Sequence, residues 1–567
     1  MTHNVRPFDV NYIVNPSQDQ LRELALMHTP CTFVSAHGNL MKVSRNKARM
    51  AKYTYIIDTK ENAHLYSHQV IDPDHARELI DRQAAYIHEK GTLIDLRGAL
   101  GLGDRAVDVQ WLYTPEAANI AGMQSLMAFP CQDNDPPQFQ IIYTPDLFLN
   151  DMPGRQAIIV DLVNYRTYIM GPDYFGESKK AALRMLNDYA YQNGGLVLHA
   201  GAKLIEKGGS RTTMTVMGLS GTGKTTTTFS KQGDIAKPIQ DDMVTIWSGG
   251  DMTITESGCF AKTAGLNRES EPVIYDGTLS PHAWVENTFI NSTSEYDFNK
   301  LEMTQADVLQ YRKTLEETGF DSEKIDAYLL GDVTRNDVLD ENGVLLDGWE
   351  FVEWTQNGRS VIPMTAIDNV ADLTDIPPVT SMGILNRDEG VDAATPGIVR
   401  FTSPEQAAAY FMLGETTKTS ASGKDVGKTR SPFTQPFFPR SFGLQASRFS
   451  ELVSTMPNTV LWMMNTGYVA GSTDDGIKIK IKHSSAMLEA MLANDIVWKV
   501  DPDFGYEIVD VGHPANAALV EHVPREILNP VLAVDPGVYQ AWVERMKKDR
   551  VAFLESHNVD PEIISTI

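Results

Sequence analysis

Residues 213–229 read TMTVMGLSGTGKTTTTF, in the order of a strand, a glycine-rich loop and the start of a helix. Gly218, Gly221 and Gly223 let the backbone curl with its N–H groups pointing inward. The helix that follows adds the positive end of its dipole. The run Gly218, Leu219, Ser220, Gly221, Thr222, Gly223, Lys224, Thr225, with Thr226 behind it, satisfies G-x-x-x-x-G-K-[ST] in full. In such a loop Lys224 supplies charge to the outer phosphates and the Thr225 hydroxyl stands where Mg²⁺ is held. Kinases, motors, transporters and switches all use this device, so it predicts a phosphate-binding domain and leaves the acceptor open. Working outward, Asp241 and Asp242 in KPIQDDMVTIW follow the loop by a helix and a short strand. That is where a carboxylate opposite the phosphates belongs.

The composition sets the frame around this loop. At 567 residues, with 42% apolar residues, the chain has the material for more than one large core. Its 49 basic and 74 acidic residues give a formal charge of −25. Such a surface repels nucleic acid and anionic membranes, while leaving room for a small basic cleft. Three cysteines, Cys31, Cys131 and Cys259, provide no disulfide framework and no metal cluster. Neither a signal-like start nor a run of roughly 18 apolar residues is present. The expectation is a cytoplasmic protein, a monomer or small homo-oligomer, without nucleic-acid or membrane partners.

Helix and strand patterns alternate along the chain. Residues 73–90 place Leu79, Ile80, Ala84 and Ile87 on one helical face, with Gly91 just beyond. QFQIIYT (138–144) and QAIIVDLV (156–163) have the pattern of strands. Val538, Trp542, Val543, Met546, Phe553 and Leu554 give a helix over 538–554. The glycines of YQNGGL and EKGGSRTT suggest a boundary, hence domains 1–205 and 206–567. GETTKTSASGKDVGKTRSP (414–432) is nearly without apolar residues and suits a surface loop or a lid over a polyphosphate.

With these neighbours included, the chain resembles the ATP-dependent phosphoenolpyruvate carboxykinase family. The loop wording GLSGTGKTT is shared, and GPDYFGESKKAALRMLNDY (171–189), LHAGAKLIEKGG (198–209), QDD (240–242) and SGCFAKTAGLNRESEPVIYDG (257–277) follow in family order. VENTFIN (285–291), NGRSVIP…IDN (357–369) and MNTGYVAG (464–471) continue it. The resemblance, spanning about residues 165–475, implies an α/β, two-domain carboxykinase-like fold with a phosphate-loop domain. It implies a reaction of oxaloacetate with ATP giving phosphoenolpyruvate, CO₂ and ADP. It further implies that Lys180, His199 and Asp242 bind Mn²⁺, and that Thr225 faces the Mg²⁺ of ATP. Lys224, Lys262 and Arg359 would surround the γ-phosphate, with Arg359 also on the substrate. Tyr174 would face the carboxylate or CO₂, and Glu271 would stand near the nucleotide.

Three stretches depart from the family. The Arg-Ser-Pro-x-Asp-Lys motif that grips the substrate carboxylate corresponds to VSRNKARMAKYTYIID (43–58). Register leaves Arg45, Lys47 and Arg49 as alternatives for its arginine, Arg45 first. Cys-Ser-Ala-Asn after the metal histidine becomes Ala200-Gly201-Ala202-Lys203, and the adenine-contacting stretch becomes VGKTRSPFTQPF (426–437), where Arg430 replaces the stacking arginine. These changes keep two further readings open: an ATP-dependent kinase with another acceptor, and a nucleotide-binding relative without turnover.

Overall fold

A computed structural model describes residues 6–46, 51–131, 136–219, 222–230, 235–341, 343–367, 369–390, 392–418, 427–434, 437–471 and 475–567. The chain divides into two units, Met1–Asp188 with Thr255–Asp368, and Tyr189–Ile254 with Asn369–Ile567. A single cut at 205/206 therefore does not describe it. Of the glycines taken for a boundary, Gly194 and Gly195 follow the helix Phe175–Gln192, close to the division at 188/189, whereas Gly208 and Gly209 form a hairpin turn. Gly208 and Gly209 both have positive φ, and the strands Ala200–Lys207 and Ser210–Gly218 pair antiparallel from Lys207↔Ser210 to Ala200↔Met217. Among the described residues no helix is long and apolar enough to cross a membrane.

The first unit is built on an eight-stranded mixed sheet. Its order is Asn11–Val14, Thr92–Leu100, Val107–Tyr113, Phe139–Thr144, Arg166–Met170, Ala157–Asp161, Thr54–Ile57, Gln69–Ile71. The helix Pro73–Lys90 begins at the Asp72 cap and ends at Gly91 in the left-handed region. It packs Ala76, Leu79 and Ile87 against Leu93, Leu112, Ile142 and Met170. Gln83 shares this buried face and donates to the carbonyls of Ile142 and Ile169 at 3.3 and 3.1 Å. The strand expected over 156–163 ends at Asp161. The Asp161 carboxylate there accepts from the N–H groups of Val163 and Asn164, turning the chain and exposing Val163. A five-stranded sheet joins Gly258–Lys262, Arg359–Pro363, Trp284–Glu286, Leu40–Lys42 and Thr32–Val34, in that order.

The second unit carries another eight-stranded sheet, whose parallel centre is Ser210–Gly218, Val379–Asn386 and Val460–Asn465. The strands Ala200–Lys207 and Ile235–Gln240 extend it on the Ser210–Gly218 side. The C-terminal helix spans Pro536–Ser556 and buries Tyr539, Val543, Met546, Arg550 and Leu554, whereas Val538 is exposed. Segment 414–432 forms a hairpin stem, Glu415–Lys418 with Gly427–Arg430, and residues 419–426 lie outside the described residues.

Candidate active site

In the second unit the strand Ser210–Gly218 delivers the loop and the helix Lys224–Phe229 leaves it. Ser220 and Gly221 fall outside the described residues. Thr222 Oγ1 donates to the Leu219 carbonyl at 2.8 Å, beneath Gly218, where a Cβ would collide with that hydroxyl. Gly223 turns into the helix at φ +93°. Thr466, from the MNTGYVAG stretch, donates to the Thr222 carbonyl at 3.0 Å and supports the turn from behind.

Polar side chains converge at the mouth of this loop. The strand Ile235–Gln240 ends just before Asp241 and Asp242. Thr225 Oγ1 donates to Asp241 Oδ2 at 3.1 Å, and Lys224 Nζ to Asp242 Oδ1 at 3.3 Å. His199 Nε2 lies 2.9 Å from the same Asp242 oxygen, while its Nδ1 is 3.1 Å from the Phe433 carbonyl. A carbonyl can only accept, so Nδ1 carries a hydrogen there. In the neutral ring Nε2 is then a lone pair facing a carboxylate oxygen. Two lone pairs at that distance require a proton, which makes the ring a cation ion-paired to Asp242, or a metal ion between them. Among the described residues no three His, Cys, Asp or Glu side chains converge on one ion site. His199 and Asp242 alone would supply only part of a coordination shell.

In the first unit the helix Phe175–Gln192 begins on the buried Glu286 carboxylate, which accepts the Phe175 N–H at 3.3 and 3.4 Å. Two residues of its first turns are cationic. Lys179 pairs with Glu256 at 2.7 Å, both buried, and Lys180 is 6% exposed. Tyr174, just before this helix, is buried; its hydroxyl accepts from Asn357 Nδ2 at 3.4 Å. Lys262 and Arg359 are direct cross-strand partners. Desolvation, then the Arg359 charge, lowers the proton affinity of the Lys262 amine. The Arg359 guanidinium lies 5.6 Å from the Phe260 ring centroid. Two adjacent cations repel each other until an anion joins them. Glu271 is half-buried before the helix Pro272–Leu279, and burial raises the pKa of its carboxyl.

Two expected ligand contacts find their side chains already engaged. The Arg45 guanidinium donates to Asp146 Oδ1 at 3.1 Å and to the carbonyls of Pro145 and Gly171 at 2.5 and 3.2 Å. Its neighbour in the same network is Asp173, whose carboxylate accepts the Arg45 and Asn46 N–H groups at 2.9 and 3.0 Å and meets Lys42 Nζ at 3.4 Å. Lys47 and Arg49 lie outside the described residues. Arg430 Nε donates to Glu415 Oε1 at 2.8 Å, within the hairpin stem. Sequence reasoning missed Asp173, Glu286, Glu256 and Lys179. Only Lys179 carried a signal, as the companion of Lys180. The Lys203 position was noted solely as a departure, yet its side chain is buried against the helix Lys224–Phe229.

A family model described as phosphoenolpyruvate carboxykinase matches residues 10–323 and 321–513. Curated proteins named phosphoenolpyruvate carboxykinase (ATP) align at similar levels. That of Afipia carboxidovorans is 26% identical over 69% of this chain and 63% of its own length. That of Rhizobium rhizogenes is 27% identical over 88% and 83%, and that of Geobacillus thermodenitrificans 25% over 93% and 91%.

Proposed function

Because the chain belongs to the phosphoenolpyruvate carboxykinase family, we propose that it converts oxaloacetate and ATP to phosphoenolpyruvate, CO₂ and ADP. The observation that carries this reading is the convergence of Lys224, Thr225, Asp241, Asp242 and His199 at the mouth of the glycine-rich loop. Loss of CO₂ breaks a carbon–carbon bond and leaves its electron pair as an enolate. The enolate oxygen then attacks the γ-phosphorus and the bond to ADP breaks.

Each side chain has a part in this proposal. Residues 218–226 hold the ATP phosphates, and Lys224 exchanges its Asp242 contact for the outer phosphates. Thr225 faces the Mg²⁺ that accompanies ATP, with Asp241 accepting from its hydroxyl. Lys262 and Arg359 neutralise negative charge on the γ-phosphoryl group and substrate. Tyr174 lines the carboxylate or CO₂ position, and Glu271 stands beside the nucleotide. The resemblance assigns His199, Asp242 and Lys180 to Mn²⁺. When bound, that ion supplies Lewis-acid stabilisation to the developing enolate charge. The approach of His199 Nε2 to Asp242 Oδ1 at 2.9 Å fits the assignment within the second unit.

One observation favours a second reading, a kinase of this family with another acceptor. The arginine first in line for the substrate carboxylate, Arg45, is spent on Asp146, Pro145 and Gly171. A single assay separates the two. Purified protein with Mn²⁺, Mg²⁺ and ATP is given oxaloacetate, and phosphoenolpyruvate, CO₂ and ADP are followed. Equimolar phosphoenolpyruvate and ADP is the expected result; ADP release indifferent to oxaloacetate sinks the first reading and keeps the second. No ADP under any condition leaves only nucleotide binding.

A further inference from the structure

Two positions where the chain departs from Cys-Ser-Ala-Asn sit under one helix. Gly201 and Lys203 are two apart on the strand Ala200–Lys207 and so project to the same face. Above them lies the helix Lys224–Phe229, which begins with the phosphate-loop lysine. At Gly201 a Cβ would collide with Thr228 Oγ1 and lie 3.2 Å from Thr228 Cβ. Only glycine admits the helix this close. Lys203, 1% exposed, reaches past it and donates from Nζ to the Thr227 carbonyl at 2.6 Å, the Ser230 carbonyl at 3.1 Å and Ser230 Oγ at 3.2 Å.

The contacts answer a specific need of so short a helix. Its last carbonyls have no N–H ahead of them in the helix, and a donor at that end satisfies them. A positive charge there also complements the dipole whose other end faces the phosphates. Burial pulls the pKa of Lys203 down to about 7, with the Glu489 charge on the helix Ile481–Leu492 acting the other way. The amine keeps N–H donors in either protonation state.

We propose that Gly201 and Lys203 are positioning residues that seat the helix Lys224–Phe229, and thereby hold Lys224 and Thr225 in the orientation that binds the phosphates of a nucleoside triphosphate. This rests on the reading of residues 218–226 as the phosphate site. Lys203 fixes the helix end, Gly201 its height above the sheet. Neither touches nucleotide, so both act through binding of MgATP and leave the substrate side unchanged.

The test is direct titration of the full chain with MgATP, by calorimetry, for wild type, Lys203→Met, Gly201→Ala and the double variant Gly201→Ala/Thr228→Ala. Melting temperature and the KM for oxaloacetate are measured alongside. Lys203→Met and Gly201→Ala are expected to weaken MgATP about tenfold, the scale of one or two lost hydrogen bonds, with the oxaloacetate KM within about twofold. Removing the Thr228 hydroxyl is expected to recover most of the Gly201→Ala loss. MgATP affinity within about twofold of wild type in both single variants overturns the inference alone. So does an equal loss for both substrates, the mark of general destabilisation. Should Lys203→Met not fold, the Gly201 pair decides: weakening without recovery overturns the seat. Wild type that binds no nucleotide overturns the phosphate-site reading and this inference with it.

Discussion

Lys203 holds its proton loosely because burial strips the ammonium of water. Its folded pKa is about 7, against roughly 10.4 in an unfolded chain. Below pH 7 both states are protonated and the cost of burying the charge is fully present. Above it the folded state sheds the proton first, and the cost disappears as pH approaches the unfolded value. The stability of wild type minus that of Lys203→Met should therefore rise between pH 7 and 9, by up to about 1.4 kcal/mol per pH unit. Urea unfolding at several pH values reads this difference; a flat or falling difference rules the shift out. Arg45 permits an equally sharp test. If its task is to hold Asp146 and the two carbonyls, Arg45→Ala loses about 2 kcal/mol of stability, with a modest change in KM. Unchanged stability with a large rise in the oxaloacetate KM would instead make it the substrate arginine. Lys224, Thr225, Asp242 and His199 were legible in the sequence, since motif and order place them together. Arg45 was not, because its partners Asp146 and Gly171 come from about a hundred residues away in the chain.

Among the elements, helices with both ends marked were readable to the residue. Pro73–Lys90 has an acidic cap, proline in the first turn and glycine at the end, and of its apolar stripe Leu79 and Ile87 are buried while Ile80 and Ala84 are half-buried. The C-terminal helix was read correctly as a helix, and its buried face in part: Val543, Met546 and Leu554 are buried, whereas Val538 is exposed and Tyr539 and Arg550 were not foreseen. An apolar template cannot anticipate Arg550, which is 1% exposed and donates to Glu415 at 3.0 and 2.7 Å and to the Tyr410 hydroxyl at 3.0 Å. The same carboxylate takes Arg430, so the helix end and the hairpin stem share one anion. Arg550→Met leaves that arrangement a cation short and should cost about 3 kcal/mol in urea unfolding. A loss under about 1 kcal/mol would show that Arg430 and Asn386, whose Nδ2 donates to Glu415 Oε2 at 3.3 Å, suffice for Glu415. Val163 fails for the opposite reason: an apolar run continued past the strand, and the Asp161 side chain turned the backbone regardless.

At the scale of the whole molecule, alternating helix and strand patterns made the α/β class legible, whereas the partition was not. Local glycines look alike whether they separate domains or turn a hairpin, and only pairing across the chain distinguishes them. Fragments 1–205 and 206–567 should therefore not fold when made separately, because the cut splits a strand from its hairpin partner. A cooperative melting transition from either fragment alone would refute the pairing. The discontinuity also bears on how the protein is born. The strand Ser210–Gly218 leaves the ribosome with its hairpin, but its parallel neighbour Val379–Asn386 begins 379 − 218 = 161 residues later. At ribosomal speeds of about 5–20 residues per second, that is roughly 8–30 s. The edge of the strand Ser210–Gly218 stays open through that interval. It is the place where a nascent chain of this protein invites wrong partners, and where a chaperone would have the most to protect.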